Sequence, residues 1–170
     1  MPVNLKSNWL AYAALAFFGL LAVAYFVGEV RTIRISQQRA KQKRAIAELR
    51  EVATAIHSYM QAHEGHPPEV GNAEVAAWRY SPLPTLQAQL VPAYAKVIPA
   101  TDPWGATYIY AYSPQQNSFC LISFAKGGKR DSTQIPSSAI ETSCFENDII
   151  WSGNSFVPIP GGMQHFCEVK

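Results

Sequence analysis

Few residues in this chain have the types and spacing that catalysis or metal binding requires. Of the four histidines, His57 and His63 are six residues apart, a separation that directs two helical side chains to different faces. The stretch 127–130 (Gly-Gly-Lys-Arg) lacks the strand-to-helix context of a phosphate-binding loop. The sequence contains no Cys-x-x-Cys, no His-Glu-x-x-His and no Cys-x-x-Cys-His haem attachment. We therefore predict that the protein is not an enzyme and requires no cofactor.

The three cysteines differ in their predicted surroundings. Cys120 alternates with Phe119 and Leu121 in a predicted strand, so we expect it to be a buried free thiol. Cys144 and Cys167 fall in predicted loops. If the domain lies outside the cytoplasm, we expect these two residues to form a disulfide that ties the C-terminal tail to a long loop.

An uncharged segment lies near the beginning of the chain. Residues 7–28 contain no Asp, Glu, Lys or Arg, and a helix needs about 20 apolar residues to cross the hydrocarbon core. A cleaved signal peptide would have a shorter apolar region, about 7–15 residues, and Glu29-Val30-Arg31 is not a small-x-small cleavage site. Residues 1–30 are therefore predicted to be a single transmembrane anchor. The aromatic side chains expected to make contacts in the membrane are Trp9, Phe17, Phe18 and Tyr25.

A basic, proline-free stretch follows the anchor, and residues 31–66 are predicted to form a stalk helix. Its first part can lie against lipid headgroups or bind an acidic partner subunit. The net charge of +2 gives no case for nucleic acid, because the basic residues cluster beside the apolar run. By the positive-inside rule these residues would place the C-terminal domain in the cytoplasm. The basic residues are Arg31, Arg34, Arg39, Lys41, Lys43 and Arg44.

The second part of the stalk is amphipathic, with apolar residues at alternating spacings of three and four. This period predicts a helix whose apolar face packs on a core. A coiled-coil partner is less favoured, because only about two heptads are apolar. Gly65, followed by Pro67-Pro68, is expected to end the helix. The apolar positions are Ile46, Leu49, Ala53, Ile56 and Met60, with Val52 and Tyr59 widening the stripe.

Residues 67–170 are predicted to form a small β domain. The proline-rich stretch 67–99 is expected to be loop with one short helix, and Gly153-Asn154 to be a hairpin turn. The fold class is therefore α+β, with one long helix packed on a small antiparallel sheet. The predicted helix is 83–90, and the predicted strands are 106–112, 118–124, 148–152 and 155–159.

The order of four segments resembles the major pseudopilin of type II secretion systems and the wider type IV pilin-like group. These segments are RAIAELREVATAIHSYMQAHEGHPP, VPAYAKVIPATDPWGATYIYAY, FCLISFAKGGKRD and FENDIIWSGNSFVPIPGG, within residues 31–162. The resemblance implies a pseudopilin-like fold, and its most specific part is Asp102-Pro103-Trp104-Gly105. Asp102 can accept backbone N–H groups, Gly105 permits positive φ, and Trp104 can pack on the helix as an apolar plug.

The resemblance also implies a calcium-binding loop after the second strand, built from Asp side chains and carbonyl oxygens. Here Gly127 stands where an Asp is expected, and Lys126, Lys129 and Arg130 add repulsion. Calcium is still allowed. The candidate ligands are Asp131, Asp148 and Glu146.

Location follows from the resemblance in the same way. It implies an inner (cytoplasmic) membrane protein with its C-terminal domain in the periplasm, in conflict with the charge rule. We expect the periplasmic orientation, because the loop cysteines agree with it.

Pilin-like proteins normally begin with a basic leader and Gly-Phe-Thr-Leu-Ile-Glu; a peptidase cuts after the Gly, and the Glu guides assembly. This motif is missing: Ala24 stands fifth after Gly19, and Gly28 is followed directly by Glu29. We therefore predict a structural accessory subunit of a larger membrane complex, contacting other subunits through its transmembrane helix and its periplasmic domain. The complex would be secretion or pilus machinery, or a respiratory or photosynthetic complex that recruited the fold. The alternative is a major pseudopilin that assembles into a periplasmic pseudopilus.

Overall fold

The computed structural model describes residues 8–70, 73–75, 78–129, 141–157 and 159–165. The chain divides into two compact units, Met1–Gln38 and Arg39–Lys170. One long helix, α1 (Asn8–Ala62), contributes residues to both units.

The first unit contains the beginning of α1. By length and composition this is a helix that could cross a membrane, the one such helix in the described part of the chain. Its large apolar side chains are exposed, and the rings of Phe17 and Phe18 meet edge to face with centroids 6.0 Å apart. A helix that is apolar on every side is what a lipid environment favours. The predicted membrane aromatics are all exposed: Trp9, Phe17, Phe18 and Tyr25.

The second unit contains the rest of α1 and the strands. Six strands form one antiparallel sheet, in the order β1-β2-β3-β4-β6-β7. A separate parallel pair joins β5 to β8. The strands are β1 (Ala73–Val75), β2 (Trp78–Pro82), β3 (Ile109–Ser113), β4 (Ser118–Ser123), β5 (Glu141–Cys144), β6 (Ile149–Ser152), β7 (Ser155–Phe156) and β8 (Ile159–His165). The short helices are two 3₁₀ turns, Leu83–Leu86 and Ala125–Gly127, and α2 (Gln87–Leu90).

The core lies between α1 and one face of the sheet. The predicted apolar stripe supplies the helix side of this core, with Leu49, Ala53 and Ile56 fully buried. Strand β3 and its neighbour β4 supply the other side, through Tyr110 and Leu121 among others. The α+β prediction is therefore confirmed, since one long helix packs on a small antiparallel sheet.

Helix α1 ends where the sequence predicted, just before Gly65 and the two prolines. The Gly65 N–H donates to the Met60 carbonyl at 2.8 Å, and Gly65 has φ +84°. This is the left-handed ending that glycine favours after a helix. Pro67 and Pro68 then prevent the helix from continuing.

Three features of the sheet differ from the sequence-based prediction. Strands β1 and β2 lie inside the stretch 67–99, which was predicted to be loop around one helix. Residues 69–81 contain no proline, and residues 79–82 pair with β3. Cys144 ends strand β5 instead of lying in a loop, and the parallel pair was not predicted. Such pairs depend on partners distant in sequence, which local patterns do not reveal.

Candidate functional site

A tight turn around Asp102 occupies a buried position beside the sheet. Asp102 is 4% exposed, and its Oδ1 accepts the N–H groups of Trp104 (3.0 Å) and Ala106 (2.9 Å). The Gly105 N–H donates to the Asp102 carbonyl at 2.9 Å, with Gly105 at φ +95°. Trp104 is half-buried and packs against the main core. The four residues 102–105 therefore form a turn that the carboxylate holds closed.

The same carboxylate fixes the end of β4. The Ser123 hydroxyl donates to Asp102 Oδ2 at 2.7 Å, and the Ala125 N–H donates to the Ser123 Oγ at 3.1 Å. Ser123 is fully buried. A buried carboxylate is costly unless donors surround it, and here three donors do so. The turn thus determines where the chain leaves β4.

The next residues form what we call the clasp, defined as residues 125–128 packed against residues 145–146. The Lys126 N–H donates to the Phe145 carbonyl at 3.3 Å, and Lys126 Nζ donates to Glu146 Oε1 at 2.5 Å. A Cβ on Gly127 would lie 2.6 Å from the Glu146 carbonyl oxygen. The two segments are therefore joined by a backbone hydrogen bond, an ion pair and a contact that only glycine allows.

The candidate calcium ligands are distributed around the clasp. Glu146 bonds to Lys126, and Asp148 is buried at 6% exposure. Asp131 lies outside the described residues. Within the described ranges, no group of three or more His, Cys, Asp or Glu side chains is placed to hold a metal. Of the three candidate ligands, Glu146 is paired with the Lys126 ammonium, and the calcium site stays a prediction.

The cysteines have different environments. Cys120 is fully buried and not disulfide-bonded; its thiol donates to the Ser152 hydroxyl at 3.3 Å, and it packs with Ile122 on the face of the sheet away from the main core. Cys144 is disulfide-bonded. Cys167 lies outside the described residues, so its pairing with Cys144 stays a prediction.

Two tyrosines, one just before β3 and one within it, connect this strand to α1 and to the linker that follows α1. The Tyr108 hydroxyl donates to Glu48 Oε2 at 2.7 Å, and the Tyr110 hydroxyl donates to the Pro68 carbonyl at 2.8 Å. Burial raises the pKa of Tyr108, and the hydrogen bond to Glu48 raises that pKa further. Burial is also the main cause that raises the pKa of Tyr110. Sequence reasoning treated these residues only as strand formers, and their period of two was the signal that they share a face.

The basic stretch of α1 is exposed to a large extent. Arg44 pairs with Glu48 at 2.7 Å, with the Arg44 side chain 71% exposed. No acidic residue lies between Glu29 and Glu48. The cations of this stretch therefore recur over about four helical turns. The exposed cations are Arg31, Arg34, Arg39, Lys43 and Arg44.

The fold defines the class of protein: a long, partly apolar helix packed on a small antiparallel sheet is the pseudopilin arrangement. The family model described as type II secretion system protein G matches residues 32–140 of the 170. The chain therefore belongs to the type II secretion protein G family. No curated protein and no solved structure matches it.

Proposed function

We propose that this protein is a non-enzymatic, single-pass subunit of the inner membrane that serves a secretion machine as a structural accessory component. The family is structural, and its membership supports this role over catalysis. The main support for the accessory role is that no Asp or Glu lies between Lys6 and Glu29. A filament-forming relative would carry the Glu that guides assembly near the start of its apolar segment.

The membrane segment supports contacts with other membrane subunits. Its aromatic side chains are exposed on all sides of the helix, with Phe17 60% and Tyr25 72% exposed. Helices in a bilayer associate through van der Waals packing and interhelical hydrogen bonds, because lipid tails offer no hydrophobic driving force. Trp9 and Phe18 belong to the same proposed contact set.

The disulfide at Cys144 supports a periplasmic C-terminal domain. Disulfides persist in the periplasm and are rare in the cytoplasm. In this orientation the basic stretch after the span faces the headgroups of the outer leaflet, and we propose that it contacts anionic lipid there.

The second candidate is a pseudopilin that assembles into a periplasmic pseudopilus, and the family match itself favours it. The two candidates differ in the covalent state of the chain. A filament subunit is cleaved after a glycine and methylated at its new N-terminus, whereas the accessory subunit keeps the apolar segment and the residues before it.

Intact mass spectrometry of the chain purified from its own membranes tests the choice. The accessory role predicts a mass that includes residues 1–28 without N-methylation after Gly19 or Gly28. A shorter, methylated chain would establish the pseudopilus role instead. The matched control is substitution of each glycine, Gly19→Ala and Gly28→Ala, because neither has a neighbour within 4 Å of a new Cβ. These variants should leave the mass unchanged except for the added methylene.

A further inference from the structure

We infer that the Lys126 ammonium is a built-in cation that closes the clasp, so that the β4–β5 connection is held at its base without a metal ion. The inference concerns the stability of the second unit and does not rest on the proposed function. It is independent of whether the chain is an accessory subunit or a pseudopilus subunit.

The Lys126 ammonium lies directly against a nearly buried carboxylate. Lys126 Nζ lies 2.5 Å from Glu146 Oε1, and the Glu146 side chain is only 9% exposed. Calcium binds carboxylate oxygen at about 2.3–2.6 Å. The ammonium therefore already occupies a position against this oxygen that a bound calcium ion would need. A second cation on the same carboxylate would be repelled by the first.

The surrounding backbone contacts hold Lys126 in place. Asp102 fixes Ser123, and the Ser123 hydroxyl accepts the Ala125 N–H directly before Lys126. The Lys126 N–H itself bonds to the Phe145 carbonyl. Because these contacts order the backbone in advance, the side chain loses less conformational freedom in reaching Glu146.

The two segments of the clasp, residues 125–128 and 145–146, fit closely together. Gly127 leaves room for the Glu146 carbonyl, which a Cβ would approach to 2.6 Å. This close approach brings the backbone of residue 146 beside the lysine. The position where an Asp ligand was expected is thus a glycine, and the position before it is the cation. The clasp joins the chain just before residue 130 to the chain just after residue 144, and so fixes both ends of that stretch.

The experiment is thermal unfolding of the full chain in detergent, with EDTA and with calcium at about 1 mM, where extracellular calcium modules bind. The wild-type protein should show the same Tm in both conditions, since a ligand that binds the folded state would raise Tm. Lys126→Met should lower Tm by about 2–4 °C, because it removes the ammonium from the nearly buried Glu146 carboxylate while the Lys126 side chain itself is 36% exposed. Lys126→Arg should recover most of that loss. Lys129→Met is the matched control: it removes the same charge from an exposed neighbour and should change Tm little.

A charge reversal at Lys126 tests whether calcium binding can be introduced. Lys126→Asp places a second carboxylate beside Glu146, so its Tm should be lowered in EDTA and should rise when calcium is added. Higher wild-type Tm in calcium than in EDTA would overturn the inference, even if the Lys126 variants do not fold. Equal Tm values for Lys126→Met and Lys129→Met would overturn it as well.

Discussion

Asp102 is the residue on which the buried polar contacts of the second unit converge. Both of its carboxylate oxygens accept hydrogen bonds, from two backbone N–H groups and from the Ser123 hydroxyl. Through Ser123 the same carboxylate positions Ala125 at the start of the clasp. A single side chain therefore couples the turn before β3 to the segment after β4.

Replacement of Asp102 by Ala should lower the free energy of unfolding by about 2–4 kcal/mol, because three buried donors lose their acceptor. Chemical denaturation of the full chain in detergent, followed by tryptophan fluorescence, measures this change. Glu51→Ala is the control, since Glu51 is an exposed carboxylate on α1 and should change stability by less than about 0.5 kcal/mol. Equal effects of the two substitutions would show that the network does not stabilise the fold.

Gly127→Ala should destabilise the protein by about 1–3 kcal/mol, because the new Cβ would meet backbone at 2.6 Å and the clasp would have to open. Gly128→Asn is the matched control: Gly128 has φ +65° and open space, and Asn tolerates this conformation. The same denaturation assay compares them. A Gly127→Ala protein as stable as Gly128→Asn would mean that the two segments are not tightly joined.

At the residue scale the sequence predicted the turn at 102–105 but not the clasp. Asp-Pro-Trp-Gly is a local pattern whose chemistry can be derived from four adjacent residues. Lys126 and Glu146 are 20 residues apart, and only the folded chain brings them together. Their pairing could not be inferred from spacing, because both belong to connections between strands.

Strand β3 and the residue just before it carry tyrosines that reach across the core to α1 and the linker after it. Tyr108 and Tyr110 are fully buried, and their hydroxyls end on Glu48 and on the Pro68 carbonyl. Tyr112 continues the row with a longer contact, 3.4 Å, to Glu69. These contacts require neutral tyrosines, which burial favours in every case.

The second unit should therefore lose stability in alkaline solution. Because the folded-state pKa values of Tyr108 and Tyr110 lie above the unfolded value of about 10, the stabilisation is complete below pH 10 and is lost as pH rises beyond it. The loss should reach up to about 1.4 kcal/mol per pH unit for each buried tyrosine. Denaturation midpoints measured between about pH 8 and 11 test this. Tyr110→Phe should reduce the slope above pH 10, and an unchanged slope would contradict the assignment.

The helix was more predictable than the sheet. The apolar stripe on α1 has the helical period within one continuous segment, and Leu49, Ala53 and Ile56 are buried as that period predicts. The Gly153-Asn154 turn was also correct, since β6 and β7 pair across it. Strand β2 was missed because prolines near it suggested loop, although its pairing with β3 decides its structure. The β5–β8 pair joins distant segments and leaves no local pattern.

At the scale of the whole molecule, two features give opposite expectations for orientation. Six basic residues follow the apolar segment, which would favour a cytoplasmic C-terminal domain. Cys144 is disulfide-bonded, and structural disulfides belong to oxidising compartments. The charge rule is statistical, whereas a disulfide requires the compartment to allow it, and for this reason we propose the periplasmic orientation.

A C-terminal fusion to alkaline phosphatase should therefore be active, because this enzyme needs periplasmic oxidation of its own disulfides. The same fusion to a reporter that functions only in the cytoplasm is the matched control and should be inactive. An inactive phosphatase fusion together with an active cytoplasmic reporter would reverse the orientation.

We propose that this member of the family acts as a membrane-anchored structural subunit of secretion machinery. The most direct measurement is mass spectrometry of the proteins that co-migrate with the full chain on a native gel of mildly solubilised source membranes. We predict co-migration with other subunits of a type II secretion system. Migration alone, or with an electron-transfer or light-harvesting complex, would contradict the claim.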